Sequence, residues 1–212
     1  MSKFKVLPQT PWTAMSLWSL EWRSLAMLCM SLTIVGIGEG LLLLSDLGSA
    51  PWTILSQGIS LQCGISVGWA SFFISVIVML FWFPLKLHMG LGTILNIVVI
   101  AIFLGVTVKT APLPVALWSR FAYVLFGIFC FGVGSAIYLT CHQGAGPRDG
   151  LMVGLCQRFH WKVGIVRTCI EVTVCFLGFC LGGTVGVGTL IFALSIGWTV
   201  QFTLAQVARF SR

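Results

Sequence analysis

The segment Gly144-Ala145-Gly146-Pro147-Arg148-Asp149-Gly150-Leu151-Met152-Val153-Gly154-Leu155 settles what class of protein this is. Glycines interrupt it, and an Arg and an Asp stand side by side. Irregular, charged backbone is tolerated at membrane depth only where it is buried in protein or lines a wet cavity. The chain on either side is apolar enough to sit in lipid. A weaker copy lies upstream, at Gly48-Ser49-Ala50-Pro51-Trp52-Thr53-Ile54-Leu55-Ser56-Gln57-Gly58. The two segments predict a membrane protein of two related halves, with the pair near its working centre.

Composition agrees. The 212 residues are 58% hydrophobic and only 8% charged, where a soluble domain carries about 25% charged residues. The formal net charge of +7 would suggest nucleic acid in a soluble protein. Here the basic residues fall mostly in the gaps between apolar runs, and no basic stripe with aromatics is present, so nucleic acid is excluded as a partner. The eight cysteines form no Cys-x-x-Cys pair and no zinc spacing with histidine, which leaves them as small buried hydrophobes and predicts no metal and no cofactor. The basic N-terminus reads as an uncleaved anchor, with Trp12, Trp18 and Trp22 at headgroup level.

Apolar runs place spans at 24–44, 67–85, 90–109, 115–139, 163–181 and 188–204, each near the ~20 residues a hydrocarbon core requires. Segments 48–64 and 144–160 are too short to cross, and Pro51 and Pro147 suit the first turn of short helices. Gly36 and Gly40 form a small face for close helix packing. With the N-terminus in the cytoplasm, Lys3, Lys5, Arg23, Lys86, Arg148, Arg158, Lys162, Arg167, Arg209 and Arg212 lie inside, and only Lys109 and Arg120 lie outside. That bias predicts both termini cytoplasmic.

Displacing the chain by 96 residues, Pro51 onto Pro147, aligns the halves without a gap. Gly36 and Gly38 meet Gly132 and Gly134, Gly48 meets Gly144, Gly58 meets Gly154, and Gly90-Leu91-Gly92-Thr93 meets Gly186-Val187-Gly188-Thr189. Duplication is the economical account. Each half holds three spans, so the second enters from the opposite side. The expected fold is all-α and integral to the membrane, with six transmembrane helices as an inverted 3+3 repeat and two short interrupted or re-entrant helices. It is a single polytopic domain over 1–212, with the first repeat at 24–110 and the second at 115–206. Inverted repeats with matching interrupted segments recur in secondary transporters.

The halves share glycines but not charges. Trp52-Thr53 stands in the place of Arg148-Asp149, and Ser71 and Ser75 in the places of Arg167 and Glu171. Arg167 and Glu171 are four apart on one helix and can meet; Glu171 lies roughly 12 Å into its span at the helical rise. Arg148 offers a planar fork to a carboxylate or phosphate, while Asp149 either holds Arg148 or caps the helix. Glu39 inside the first span is either a proton carrier or a partner of one of these arginines. The candidate substrate-binding residues are therefore Arg148, Asp149, Arg167, Glu171 and Glu39. His142 and His160 flank the central segment and read as solvated. No His-Glu-x-x-His occurs, and Gly134-Ser135-Ala136 has no histidine at helix depth to serve as base, so no enzyme is expected.

The runs Gly146-Pro147-Arg148-Asp149-Gly150-Leu151-Met152, Arg167-Thr168-Cys169-Ile170-Glu171-Val172 and Leu181-Gly182-Gly183-Thr184-Val185-Gly186-Val187-Gly188-Thr189 resemble the YczE/YyaS/YitT family of bacterial integral membrane proteins. Asp46-Leu47-Gly48-Ser49-Ala50-Pro51-Trp52 and Gly90-Leu91-Gly92-Thr93 extend that resemblance to the first half. It departs at Thr53, where an Asp is expected after Pro-Trp, and at Trp198, where a Pro is expected after Gly197. The first departure removes a carboxylate from the first-half segment. The resemblance implies a location in the bacterial inner membrane and no settled activity.

The repeat, not the family, carries the functional expectation. A small-solute transporter or channel, taking a small anionic or polar solute near the second-half segment, is the leading reading. The alternative is a non-transporting scaffold or regulatory partner of another protein. Membrane lipid surrounds the chain in both.

Overall fold

All regular structure among the described residues is α-helical. The computed structural model describes residues 9–161 and 163–210, without the side chains of Gln157, Val163, Arg167 and Phe210. Lys3, Lys5, Lys162 and Arg212 of the charge bias lie outside the described residues, and so does the Arg167 side chain.

The helices run in order as α1 (Trp22–Leu44), α2 (Pro51–Cys63), α3 (Val67–Leu80), α4 (Trp82–Leu85), α5 (Leu91–Thr110), α6 (Leu117–Thr140), α7 (Pro147–Phe159), α8 (Val163–Cys180) and α9 (Val187–Phe210). Five stretches are long and apolar enough to cross a bilayer, namely Trp22–Leu44, Val67–Leu85, Leu91–Thr110, Leu117–Thr140 and Val187–Arg209. Helix α8 has 18 residues, of which Thr168–Cys180 forms a shorter apolar stretch. Phe73, Ile77, Leu80, Phe126, Phe129, Phe176, Leu194 and Trp198 are all exposed. In water so much apolar surface would drive association, whereas in a bilayer it faces acyl chains.

The two short helices match. Each has 13 residues and opens on a proline, whose missing N–H would have no partner in a first turn. Ala50 and Gly146 before them are extended, with ψ of 145° and 158°, as the residue before proline must be. Each ends in a left-handed residue, Gly64 at φ 67° and His160 at φ 55°. The turns leading into them share one shape, with Asp46 and His142 both at φ 54° and Gly48 and Gly144 at φ 108° and 112°.

Contacts recur in reciprocal pairs at the same offset of 96 residues. The Gly92 N–H donates to the Gln143 carbonyl at 2.8 Å, and the Gly188 N–H to that of Leu47 at 2.7 Å. A Cβ on Gly38 would stand 2.7 Å from the Gly127 oxygen, and one on Gly134 2.6 Å from the Ser31 oxygen. Gly36 backs onto Ile100 and Phe103, and Gly132 onto Ile196 and Thr199. The first two kinds of contact run between the halves, so that i and j become i+96 and j−96; the third runs within each half, and both of its residues shift by 96. Such close backbone approach is what binds helices in lipid, where burial of apolar surface offers little. The Gly36 and Gly40 face packs on α5, against Phe103 and Thr107.

Residues 9–21 do more than sit at an interface. Trp18 and Trp22 are exposed, as belt residues should be. Trp12, however, donates its indole N–H to Thr140 Oγ1 at 2.9 Å, and the Ala14 N–H donates to the Cys141 carbonyl at 3.1 Å. Gln143 Nε2 reaches the Ser19 carbonyl at 2.6 Å, and the Leu91 N–H reaches that of Leu17 at 2.8 Å. The end of α6 and the start of α5 carry backbone groups without intrahelical partners, and this segment supplies them. His142 lies in the same region and is half-buried, with Nε2 shut away from solvent, which corrects its reading as solvated; His160 is exposed.

Candidate functional site

Backbone contacts first fix the segment that carries the charges. Thr93 Oγ1 on α5 donates to the Ala145 carbonyl at 2.8 Å. The Trp82 indole N–H of α4 donates to the Pro147 carbonyl at 3.1 Å, and its ring packs against Gly150, where any Cβ would collide with it. Asn96 of α5 lies against Gly146, leaving 3.0 Å for a Cβ there. Arg148 and Asp149 thus project from a first helical turn whose carbonyls and glycines are clamped by α4 and α5.

Arg148 Nη1 meets Glu39 Oε1 at 2.9 Å, an ion pair between α7 and α1 in which the Glu39 side chain is 1% exposed and that of Arg148 20%. Of the two readings open for Glu39, the pair with an arginine is the one observed in this conformation. Burying a lone carboxylate would be costly, and the guanidinium offsets that cost. The second carboxylate oxygen, Oε2, is buried and meets no donor among the described residues. Arg148 Nη2 lies 3.5 Å from Ser71 Oγ, at the limit of a hydrogen bond. The guanidinium carbon stands 5.3 Å from the centroid of Trp52, within cation–π range. Trp52 is the residue 96 positions before Arg148.

Asp149 holds neither Arg148 nor a helix cap. Its Oδ2 accepts a hydrogen bond from the Tyr138 hydroxyl of α6, and its place in the first turn of α7 suits the positive end of that helix. Tyr138 is buried. A tyrosine in an apolar run gives no signal of such a role, and its partner lies one turn and a loop away.

These groups converge on a cavity of about 160 Å³; a single water needs roughly 10–15 Å³ on the same measure. Glu39, Tyr138, Arg148, Asp149 and Glu171 all line it, so four of the five residues expected at the site are brought together, and the fifth, Arg167, has its side chain outside the described residues. Ser71, Trp52 and Tyr138 join them without having been expected there. Lining residues also come in equivalent pairs, Val35 with Phe131, Glu39 with Ser135, Ala50 with Gly146, Trp52 with Arg148, Ser75 with Glu171, Asn96 with Phe192 and Ile100 with Ile196. The second-half short helix gives Arg148 and α5 gives Asn96, while the matching positions give Trp52 and Phe192. No group of His, Cys, Asp and Glu able to hold a metal occurs among the described residues.

The comparisons with known proteins accord with a membrane protein of this kind. The family of unknown function DUF6198 matches residues 22–205. An uncharacterized protein of Haemophilus influenzae is 57% identical over 207 residues, covering 98% of this chain and 95% of its own. The uncharacterized membrane protein YczE of Bacillus subtilis is 28% identical over 89% of this chain and 86% of its own. YyaS, also of Bacillus subtilis, is 28% identical over 76% and 83%. No solved structure matches the chain. On the extent of the family match, the chain belongs to the family of unknown function DUF6198, and it is similar to the membrane protein YczE and to YyaS.

Proposed function

We propose that this membrane protein carries a small anionic or polar solute across the bacterial inner membrane, through alternating exposure of the cavity at Arg148. The observation that carries this reading is the cavity's lining by equivalent positions of both halves. Reciprocal contacts of this kind follow from a two-fold relation between the halves, and a residue that touches its own equivalent, as Arg148 touches Trp52, lies on the axis of that relation. A site on such an axis, in the plane of the membrane, can be offered to either side by exchanging the conformations of two inverted halves.

In this reading α8 is a sixth span, the repeats at 24–110 and 115–206 are inverted, and both termini are cytoplasmic. Arg148 holds the solute, Glu39, Asp149 and Glu171 line the path, and Arg167 joins them from α8. The competing reading, a non-transporting scaffold or regulatory partner, gains nothing from a polar cavity shared by both halves.

Uptake of a broad panel of radiolabelled solutes into proteoliposomes tests the proposal, with Arg148→Ala and Glu171→Gln alongside the wild type. Uptake by the wild type that Arg148→Ala abolishes is the expected result. Folded protein that moves no solute at all in the panel would overturn it.

A further inference from the structure

We infer that the cavity takes a small organic anion with an apolar body, and that Glu39 picks up a proton from water as the anion replaces it at Arg148. This deepens the transport reading above and rests on the same cavity.

The cavity is two-faced. Arg148 is the cation on its wall among the described side chains, and Asn96 lies beside it against Gly146. The equivalent positions across the axis are Trp52, Phe192 and Ala50. Phe192 is fixed edge-to-face on Phe131, with ring centroids 5.2 Å apart. An ion without carbon would satisfy only the first wall. A carboxylate carried on an aryl or alkyl body satisfies both, with its head on the guanidinium fork and its body against the rings.

The head can reach Arg148 only by taking the place of Glu39, because that carboxylate already occupies Nη1 at 2.9 Å. Two carboxylates on one guanidinium repel each other in a desolvated site. Glu39 cannot turn to water, being buried, and its Oε2 has no other donor among the described residues. The remaining ionisable groups on this cavity, among the described residues, are Asp149 of α7, Tyr138 of α6 and Glu171 of α8. Asp149 is held by the Tyr138 hydroxyl and does not need to change partner when the anion arrives. The proton therefore goes to Glu39, forming one O–H bond on its carboxylate, and net charge in the cavity is conserved. Because the coupling is reciprocal, lower pH tightens anion binding.

Calorimetry of the purified full chain in detergent tests this, with benzoate as the apolar-bodied probe and inorganic phosphate as the bare one. Titrations in buffers of different ionisation enthalpy count the protons exchanged. We expect about one proton taken up per benzoate in the wild type, about tenfold weaker binding of phosphate, and benzoate binding without proton uptake in Glu39→Gln. The wild-type proton count needs no variant, so a Glu39→Gln chain that fails to fold leaves the test intact. Tighter binding of phosphate than of benzoate would overturn the substrate class, and benzoate bound without a proton would overturn the exchange. Benzoate bound with a proton, but never moved across proteoliposomes, would support this inference and sink transport. A different solute moved while benzoate fails to bind would do the reverse.

Discussion

Arg148 stands over Trp52, the residue 96 positions earlier in the chain, with its guanidinium carbon 5.3 Å from the ring centroid. The sequence offset that aligns the two halves therefore brings a cation and an aromatic face to face across the cavity. Trp52 is almost wholly buried, so its face is desolvated and the attraction amounts to about 2 kcal/mol rather than the 0.5–1 of an exposed pair. Trp52→Leu should lower stability by about that attraction plus the loss of packing, whereas Trp52→Phe keeps a ring and should lose less. Thermal unfolding in detergent separates the two. Equal losses would show that the ring's volume matters and its face does not.

Glu39 and Arg148 give a sharper test. Removing one member of a buried ion pair leaves an unpaired charge and costs about 3–5 kcal/mol, while replacing both with apolar groups of similar volume can be neutral. Arg148→Met should therefore destabilise the chain strongly, and the double change Glu39→Gln with Arg148→Met should recover most of the loss. A double-mutant cycle on chemical unfolding measures the coupling. Additive losses would mean that the pair is not coupled in solution.

Much of the fold is visible in the sequence because lipid demands it. A helix must bury its own hydrogen bonds, so apolar runs mark the spans, and the predicted 67–85, 90–109 and 115–139 fall within two residues of Val67–Leu85, Leu91–Thr110 and Leu117–Thr140. Pro51 and Pro147 mark the short helices because proline fits only a first turn. Arg148 and Asp149 are conspicuous at the site for the same reason, as charges in apolar surroundings. Their partners are not. Glu39 lies 109 residues from Arg148, and no local rule connects them. Tyr138 and Trp52 look like ordinary apolar residues of a span until packing shows which way they point.

The glycines divide into those that hold the halves together and those that do not. Gly38 and Gly134 sit where a Cβ would stand under 3 Å from backbone of the facing helix, which no side-chain rotation can relieve. Alanine at either should cost about 1–3 kcal/mol by forcing the helices apart. Gly197 has nothing within 4 Å, and alanine there should be neutral or slightly stabilising through helix propensity. Paired thermal unfolding of Gly38→Ala, Gly134→Ala and Gly197→Ala decides the matter, and a loss at Gly197 matching the other two would argue against close packing as the cause.

The N-terminal segment should contribute to stability even though it lies before the first span. Trp12 and Thr140 share a hydrogen bond of 2.9 Å, and a half-buried bond of this kind contributes about 0.5–1.5 kcal/mol. Trp12→Phe keeps most of the ring and drops the N–H, so it should lose about that amount. Thr140→Val removes the acceptor and also the donor to the Ile137 carbonyl, but the combination with Trp12→Phe should cost less than the sum. Unfolding midpoints of the two single variants and the pair give the comparison. A strictly additive pair would mean that residues 9–21 detach from the α6 end in solution.

The proposed inversion of the halves makes a prediction that needs no ligand. Gly64 and His160 are equivalent positions, both left-handed and both exposed at the ends of the short helices. If the halves face opposite ways, these turns lie on opposite sides of the membrane, and the charge bias puts Gly64 outside and His160 within. Exposed turns of this kind tolerate short insertions. An epitope inserted at Gly64 should bind antibody in right-side-out spheroplasts, and one inserted at His160 only in inverted vesicles. A C-terminal tag should follow His160, because in the proposed topology α8 and α9 cross and return. Both epitopes read from one side would leave the 96-residue correspondence as a duplication without inversion, and the cavity at Arg148 would then lie on an axis running through the membrane, not within its plane.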